Sequence, residues 1–443
     1  RTSVNMPPHS STPHSVPSIV PWFEPFIATA LILSTYLFFY KTSLTNVELV
    51  LLIVLVTSVY FCSSELTRRT WTFAHRPQQR ISTVIDHTIT RFLGMVIGIV
   101  SILFAVWLFP EYDQPHYRRL LFEAVPLFLA SFIPLSLVII FLTEYLLGEK
   151  RDGTYQFGLI ARFRWSEVEG KAFRAGVLEW LVRGIFLLIN FFAVSTLLAR
   201  VRSRELPDLS DGFVQFVMNI DSMIFMIILL VILPGYLFAS RLIGTEVKKV
   251  DSTWFAWAIT LSSYSPLNAA VYSAWITYRP LSDVYENTHV WGVIGAVHPT
   301  VLYCLGALIL IAALFHLWGE AILGARSSNL SMRGIITNGP FAFTKHPVYV
   351  SKCIQWACIY LPILNGIGFL DATRSGILFI LVCVVFGARA LAEERLLAED
   401  ENYVAYARAM DEKSIFAFVG RTFPWMRFDW RYDYWQRHGH FNR

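Results

Sequence analysis

Long apolar segments, separated by short polar stretches, recur along most of this chain. Crossing a bilayer as a helix takes about 20 mostly apolar residues. Ten segments approach or exceed that length: 19–40, 47–62, 92–109, 120–147, 177–198, 213–240, 254–278, 291–323, 350–370 and 376–389. The pattern predicts an all-α, polytopic transmembrane protein with about ten spans. The sequence around Pro266 is expected to break the seventh of them.

The distribution of lysine and arginine gives these spans an orientation. Loops on the cytoplasmic side of a membrane protein carry an excess of positive residues. The loops after the second, fourth, sixth and eighth segments are basic, whereas arginines 200, 202 and 204 in an opposite loop have acidic neighbours. We therefore expect both termini, and the loop between the eighth and ninth spans, to face the cytoplasm.

Composition supports a membrane location. Apolar residues make up 55% of the 443 residues and charged residues 16%, whereas soluble proteins carry about 25% charged residues. This composition is not that of an ordinary soluble enzyme. The net charge of +5 is modest; it suggests membrane lipids as partners and no nucleic acid.

We divide the chain into four regions. Residues 1–18, rich in proline, serine and histidine, are expected to be flexible, and 19–290 form an N-terminal transmembrane scaffold. Residues 291–425 carry the candidate chemistry. In the tail 426–443, arginines alternate with aromatic residues, which is typical of a segment lying at the membrane interface but is also found in nucleic-acid-binding segments. His438 and His440 are too isolated to indicate a metal site.

The first candidate motif lies between the eighth and ninth segments, where the chain reads SSNLSMRGIITNGPFAFTKHPVYVSK. Asn338, Gly339 and Pro340 predict a tight turn. They are followed by an imidazole at His346 and an aromatic ring at Tyr349. Such a segment brings backbone N–H groups, aromatic faces and an imidazole together, as a pocket for a polar cofactor requires.

The second motif lies where the tenth segment continues as a charged helix. Arg389 and Glu393 are four residues apart and therefore share one face of that helix. Glu394 follows directly, and Tyr403 and Tyr406 come next, which we expect to be packing residues. The acidic pair could bind a ligand amine or simply meet solvent.

Together the two motifs resemble the isoprenylcysteine carboxyl methyltransferase family, which shares its signature with the phospholipid N-methyltransferases. The matching pieces are 339–349 and 393–406, and the likeness covers roughly 300–425. The resemblance implies an integral membrane enzyme that uses S-adenosyl-L-methionine. It also implies a cytoplasm-facing site between the last helices and a lipidic acceptor that arrives from the bilayer.

The resemblance also implies roles for individual residues. Arg389 resembles the catalytic residue on the acceptor side, and Glu393 resembles the acid that meets the charged methionine end of the cofactor. The cofactor pocket would further include Gly334, Ile335, Ile336, Phe341, His346, Pro347, Val348 and Tyr349. Two positions depart from the family pattern, in which arginine often precedes His-Pro and glycine follows the motif tyrosine by two. This chain has Lys345 and Ser351 there.

Other functions stay open. A sterol-reductase-like enzyme using NADPH would have about ten spans and a similar His-Pro-x-Tyr element, but would show Arg-Asp-Glu in place of Glu393–Glu394. A transporter or a lipid-binding membrane protein would use polar residues inside spans, and Asp221 and Glu320 are such residues. The N-terminal spans could form a scaffold, a wall that recognises the acceptor, or a contact within an oligomer.

Overall fold

The computed structural model describes residues 18–68, 79–108, 115–203, 209, 212–264, 298–360 and 369–438. Their regular structure is almost entirely helical. In chain order the helices are α1 Glu24–Phe39, α2 Asn46–Arg68, α3 Ile81–Leu108, α4 Pro115–Leu147, α5 Gly153–Ala161, α6 Gly170–Arg202, α7 Phe213–Leu237, α8 Trp254–Leu261, α9 Pro299–Leu323, α10 Pro347–Tyr360, α11 Phe369–Leu397, α12 Glu401–Lys413, α13 Ala417–Thr422 and α14 Phe428–Arg437. Two short strands, β1 Lys249–Val250 and β2 Ser331–Met332, form an antiparallel pair.

Seven helices in these ranges are long and apolar enough to cross a membrane: α2, α3, α4, α6, α7, α9 and α11. Each coincides with one of the ten apolar segments, which confirms an all-α, multi-pass membrane protein. Helix α1 has 16 residues, fewer than a full span needs. The described residues break off at Tyr360 of α10, so the predicted span 350–370 stays a prediction. Helix α8 ends at Leu261, and the rest of the predicted seventh span, with Pro266, lies outside the described residues. The total of ten spans and the cytoplasmic termini stay predictions, as does the flexible N-terminus, since residues 1–17 also lie outside them.

Helix α7 lies at the centre of the bundle. Its residues from Met226 to Tyr236 are all buried, as expected of a helix that is apolar on every side. It packs against α1, α2, α6 and α9. Near its start, Asp221 accepts a 2.5 Å hydrogen bond from Gln355 Nε2 of α10. This polar group inside a span therefore serves contact between two helices.

Helix α5 was not predicted from hydropathy, because its nine residues are too few to form a span. It packs so closely on α3 that glycine is needed on both sides. A Cβ on Gly94 would lie 1.8 Å from the Thr154 carbonyl oxygen, and one on Gly158 would lie 1.7 Å from that of Thr90. Small residues at such contacts let two membrane helices approach each other closely.

The strand pair joins the loop after α7 to the segment that carries the first motif. Lys249 stands opposite Met332, and the Asp251 N–H donates to the Leu330 carbonyl at 2.8 Å. The Asp251 carboxylate in turn accepts a 2.9 Å hydrogen bond from Arg395 at the end of α11. These links hold the loops at one end of the bundle against α11, and they place the two motifs side by side.

Candidate functional site

The first motif forms an irregular segment between α9 and α10. Gly334 and Gly339 have φ of +118° and +59°, values that glycine adopts without strain. The Asn338 side chain accepts from the Ser18 hydroxyl at 2.8 Å and donates to the Val20 carbonyl at 2.6 Å. Helix α10 then begins at Pro347, which suits the first position of a helix because it lacks an N–H.

The two motifs meet in space, although more than 40 residues separate them in the sequence. His346 Nε2 lies 3.0 Å from Glu394 Oε1, and the Tyr349 hydroxyl donates to Glu393 Oε1. His346 Nδ1 is 3.9 Å from Glu393 Oε2. The imidazole thus lies between the two carboxylates, at the point where α10 starts and α11 ends.

The twin glutamates have different surroundings. The Glu394 side chain is 3% exposed and is held by three partners: the His346 imidazole, the Lys345 ammonium at 3.3 Å and the Arg431 guanidinium of α14. The Glu393 side chain is 38% exposed and lines the neighbouring cavity. Glu394 is therefore neutralised inside the protein, and Glu393 is the carboxylate that can reach a ligand.

The cavity is bordered by α7, α9, α10, α11, α12 and the segment 323–336. Its empty volume is about 1200 Å³, counted with the open space at its mouth, which is enough for a ligand of cofactor size. All ten residues singled out from the sequence line it: Gly334, Ile335, Ile336, Phe341, His346, Pro347, Val348, Tyr349, Arg389 and Glu393. The structure thus brings them together, and the role of each stays a prediction.

Arg389 is buried in the wall of this cavity. Its Nη2 donates to Asn329 Oδ1 at 2.8 Å. Its guanidinium lies 5.0 Å from the centre of the Tyr349 ring and 5.5 Å from that of Tyr264, within the range of cation–π attraction. Its Nε has no hydrogen-bond partner among the described residues. The side chain is therefore held in place by Asn329 and the two rings, with one buried N–H left unsatisfied.

Several further residues line the cavity, and none of them is a predicted site residue. Asn329 Nδ2 lies 2.8 Å from the Tyr236 hydroxyl and 2.9 Å from that of Tyr264, which builds a polar wall from three separate segments. Glu320 was visible only as a carboxylate inside a predicted span; its Oε2 accepts from the Ser327 hydroxyl at 3.2 Å. Lys352 lines the same wall.

Tyr403 and Tyr406 pack as expected, in a cluster with Ile335, Met410 and Phe428, but both also line the cavity. Burial raises the pKa of the Tyr403 hydroxyl well above its usual value, so this group stays protonated and can donate. No residue that the structure describes accepts from it.

Both departures from the family pattern are accommodated within the protein. Lys345 pairs with Asp411 at 2.9 Å as well as with Glu394, and its ammonium lies 5.6 Å from the centre of the Phe428 ring. The Ser351 hydroxyl donates to the Pro347 carbonyl at 2.6 Å. The tail also contributes here, because Phe428 and Trp435 of α14 are buried in the cluster that contains Tyr403.

No group of three or more histidine, cysteine, aspartate or glutamate residues that could hold a metal ion occurs in the described ranges. Comparison of the chain with models of protein families, with curated proteins and with solved structures finds no match in any of the three.

Proposed function

We propose that this chain is an integral membrane methyltransferase that uses S-adenosyl-L-methionine and acts on a lipidic or amphiphilic acceptor. The observation that carries the proposal is the convergence of the His346–Pro347 turn and Glu393 on one cavity. The acceptor class includes an isoprenylcysteine-like carboxylate and a phospholipid amine. The cavity would face the cytoplasm.

The residues around the cavity fit the chemistry of this cofactor. Glu393 supplies a negative charge for an ammonium group, and the unpartnered Tyr403 hydroxyl supplies a donor. Ile336, Phe341 and Val348 supply apolar walls for a flat heterocycle. When bound, the cofactor would supply a methyl group that its positive sulfur already activates. The protein has then to align the acceptor and exclude water.

Arg389 would orient an anionic acceptor. A carboxylate acceptor has no proton to lose and needs only a fixed cation beside it, and the contacts with Asn329 and Tyr349 hold this guanidinium in place. An amine acceptor must also lose a proton. His346 and Tyr349 could accept or relay it, since each already contacts one of the two glutamates.

Transfer of a labelled methyl group tests the proposal. Purified protein in detergent would be incubated with methyl-labelled S-adenosyl-L-methionine and membrane lipid extracts, and products would be sought by mass spectrometry. We expect a lipid whose mass rises by one CH2 group, and no such product from a His346→Ala, Glu393→Ala double variant. Binding of NADPH without binding of S-adenosylhomocysteine would overturn the proposal in favour of a reductase.

We expect Arg389→Ala to slow turnover by about 100-fold or more, the typical cost of removing one preorganised group that stabilises charge. Affinity for S-adenosylhomocysteine should change by less than about threefold, since Arg389 acts on the acceptor. Arg389→Lys should recover only part of the rate, because lysine lacks the planar fork. Arg421→Ala, at an exposed arginine on α13, is the control. Equal losses of affinity and rate in Arg389→Ala would contradict this role.

A further inference from the structure

A second hollow lies between α2, α3, α4, α6 and α7. It consists of two chambers whose empty volumes are about 900 and 990 Å³, each counted with the open space at its mouth. Phe132, Trp180, Arg183 and Leu237 line both chambers. The two chambers therefore adjoin at these four side chains, and we call them together the scaffold cavity.

The lining of the scaffold cavity changes from polar to apolar in the same direction on several helices. On α3 it passes from Arg91 to Ile102, and on α6 from Glu179 to Leu188. The eleven residue steps from Arg91 to Ile102 advance about 16 Å along the axis of α3. The polar chamber lies at the end of the bundle where the α4–α5 loop runs, and the apolar chamber lies among the membrane-spanning parts of the helices. This is the polarity profile of a membrane lipid.

Most charges of the polar chamber are paired within the protein. Arg91 bonds to Glu144 at 2.7 Å and to Asp152 at 2.6 Å, and Lys150 pairs with Glu246 at 2.9 Å. All three nitrogens of Arg91 are bonded within the protein, so it has little capacity left for a ligand.

One pair is different. Arg183 donates to the carbonyl oxygens of Tyr236 at 3.1 Å and Leu237 at 3.0 Å, while its Nη1 lies 3.7 Å from Glu179 Oε1. In the part of the chain that the structure describes, no group donates a hydrogen bond within 3.5 Å to the Glu179 carboxylate. One cation and one anion, a single helical turn apart, thus face the cavity incompletely satisfied.

We propose that the scaffold cavity binds a zwitterionic glycerophospholipid. Arg183 borders the apolar chamber, whereas Glu179 lines only the polar one. A lipid with its chains in the apolar chamber would present its phosphate at the depth of Arg183 and its amine one turn further out, at Glu179. The order of charges along the lipid matches the order along α6. This inference does not rest on methyl transfer.

Photolabelling locates the lipid. The protein would be placed in nanodiscs of phosphatidylethanolamine and phosphatidylglycerol, with a trace of phosphatidylethanolamine carrying a photoactivatable group in one acyl chain. We expect labelled peptides from around Ile102, Phe128 and Leu188. Val125→Trp, which fills the apolar chamber, should lower this labelling about tenfold. Labelling spread evenly over bilayer-facing positions such as Phe104 and Ile311 would overturn the proposal.

Headgroup selectivity tests the charge pair. Native mass spectrometry of the purified protein should show retained phosphatidylethanolamine in preference to phosphatidylglycerol. Glu179→Gln should lower that preference about tenfold, the usual effect of losing a charge-assisted hydrogen bond. Glu167→Gln, at a surface carboxylate before α6, is the matched control.

Glu393→Ala should retain the lipid, so failure of the cofactor site and failure of the scaffold cavity give different results. No preference between the two lipids would contradict the assignment of Glu179.

Discussion

Glu393→Ala is expected to abolish measurable binding of S-adenosylhomocysteine to the purified protein. Glu393 is the carboxylate that lines the cavity, and it is held there by the Tyr349 hydroxyl. A charge-assisted hydrogen bond in a partly enclosed site contributes about 1.5–3 kcal/mol. Loss of the ion pair adds to this, so a drop in affinity of at least about 100-fold should follow. Isothermal titration calorimetry measures it directly.

Two further variants separate charge from shape. Glu393→Gln keeps an oxygen that can accept from Tyr349 but removes the charge, and it should lose nearly as much affinity as Glu393→Ala. Glu412→Ala, at an exposed carboxylate on α12, should bind as tightly as the unaltered protein. Unchanged affinity in Glu393→Ala would remove the assignment of this acid, whether or not the chain transfers methyl groups.

Glu394→Ala is expected to destabilise the fold rather than to act on the ligand directly. Its carboxylate is the shared partner of His346, Lys345 and Arg431, and its side chain is 3% exposed. Removing one partner of a buried ionic cluster typically costs about 3–5 kcal/mol, because the remaining charges stay buried without compensation. The free energy of unfolding, measured by denaturant titration in detergent, should fall by that amount.

The neighbouring glutamate provides the control for this prediction. Glu393→Ala should change the free energy of unfolding by less than about 1 kcal/mol, since its carboxylate is 38% exposed. An Arg431→Met, Glu394→Ala double variant should recover part of the loss, because it removes the charge that Glu394→Ala leaves without a carboxylate partner. Equal stability of the two single alanine variants would show that the cluster around Glu394 contributes nothing specific.

More of the candidate site than of the surrounding fold could be predicted from the sequence. Span-length hydropathy located seven of the described helices, and the two motifs located the residues that line the cavity. Helix α5 was missed because nine residues leave no span signal, and its packing depends on a glycine contact that only the folded chain reveals. Asn329, Tyr236 and Tyr264 come from three segments that adjoin only after the strands pair, so no local pattern marked them.

Adjacent residues of the same type are a second case in which the sequence does not predict the role of each. Glu393 and Glu394 are both glutamates, and only their different surroundings in the fold decide what each carboxylate does. A buried carboxylate held by an imidazole, a lysine and an arginine is a structural element, whereas one at a cavity wall is available to a ligand. The arginine, Arg431, belongs to the tail 426–443, whose sequence is typical of a segment at the membrane interface.

The contact between Arg431 and Glu394 has a consequence for biosynthesis. Residue 431 leaves the ribosome well after α9, α10 and α11 have been translated. Until then the carboxylate of Glu394 lacks one of its counter-charges, and α12 lacks the aromatic side chains of α14 that cover it. This end of the protein can therefore complete its packing only after residue 431 has been translated.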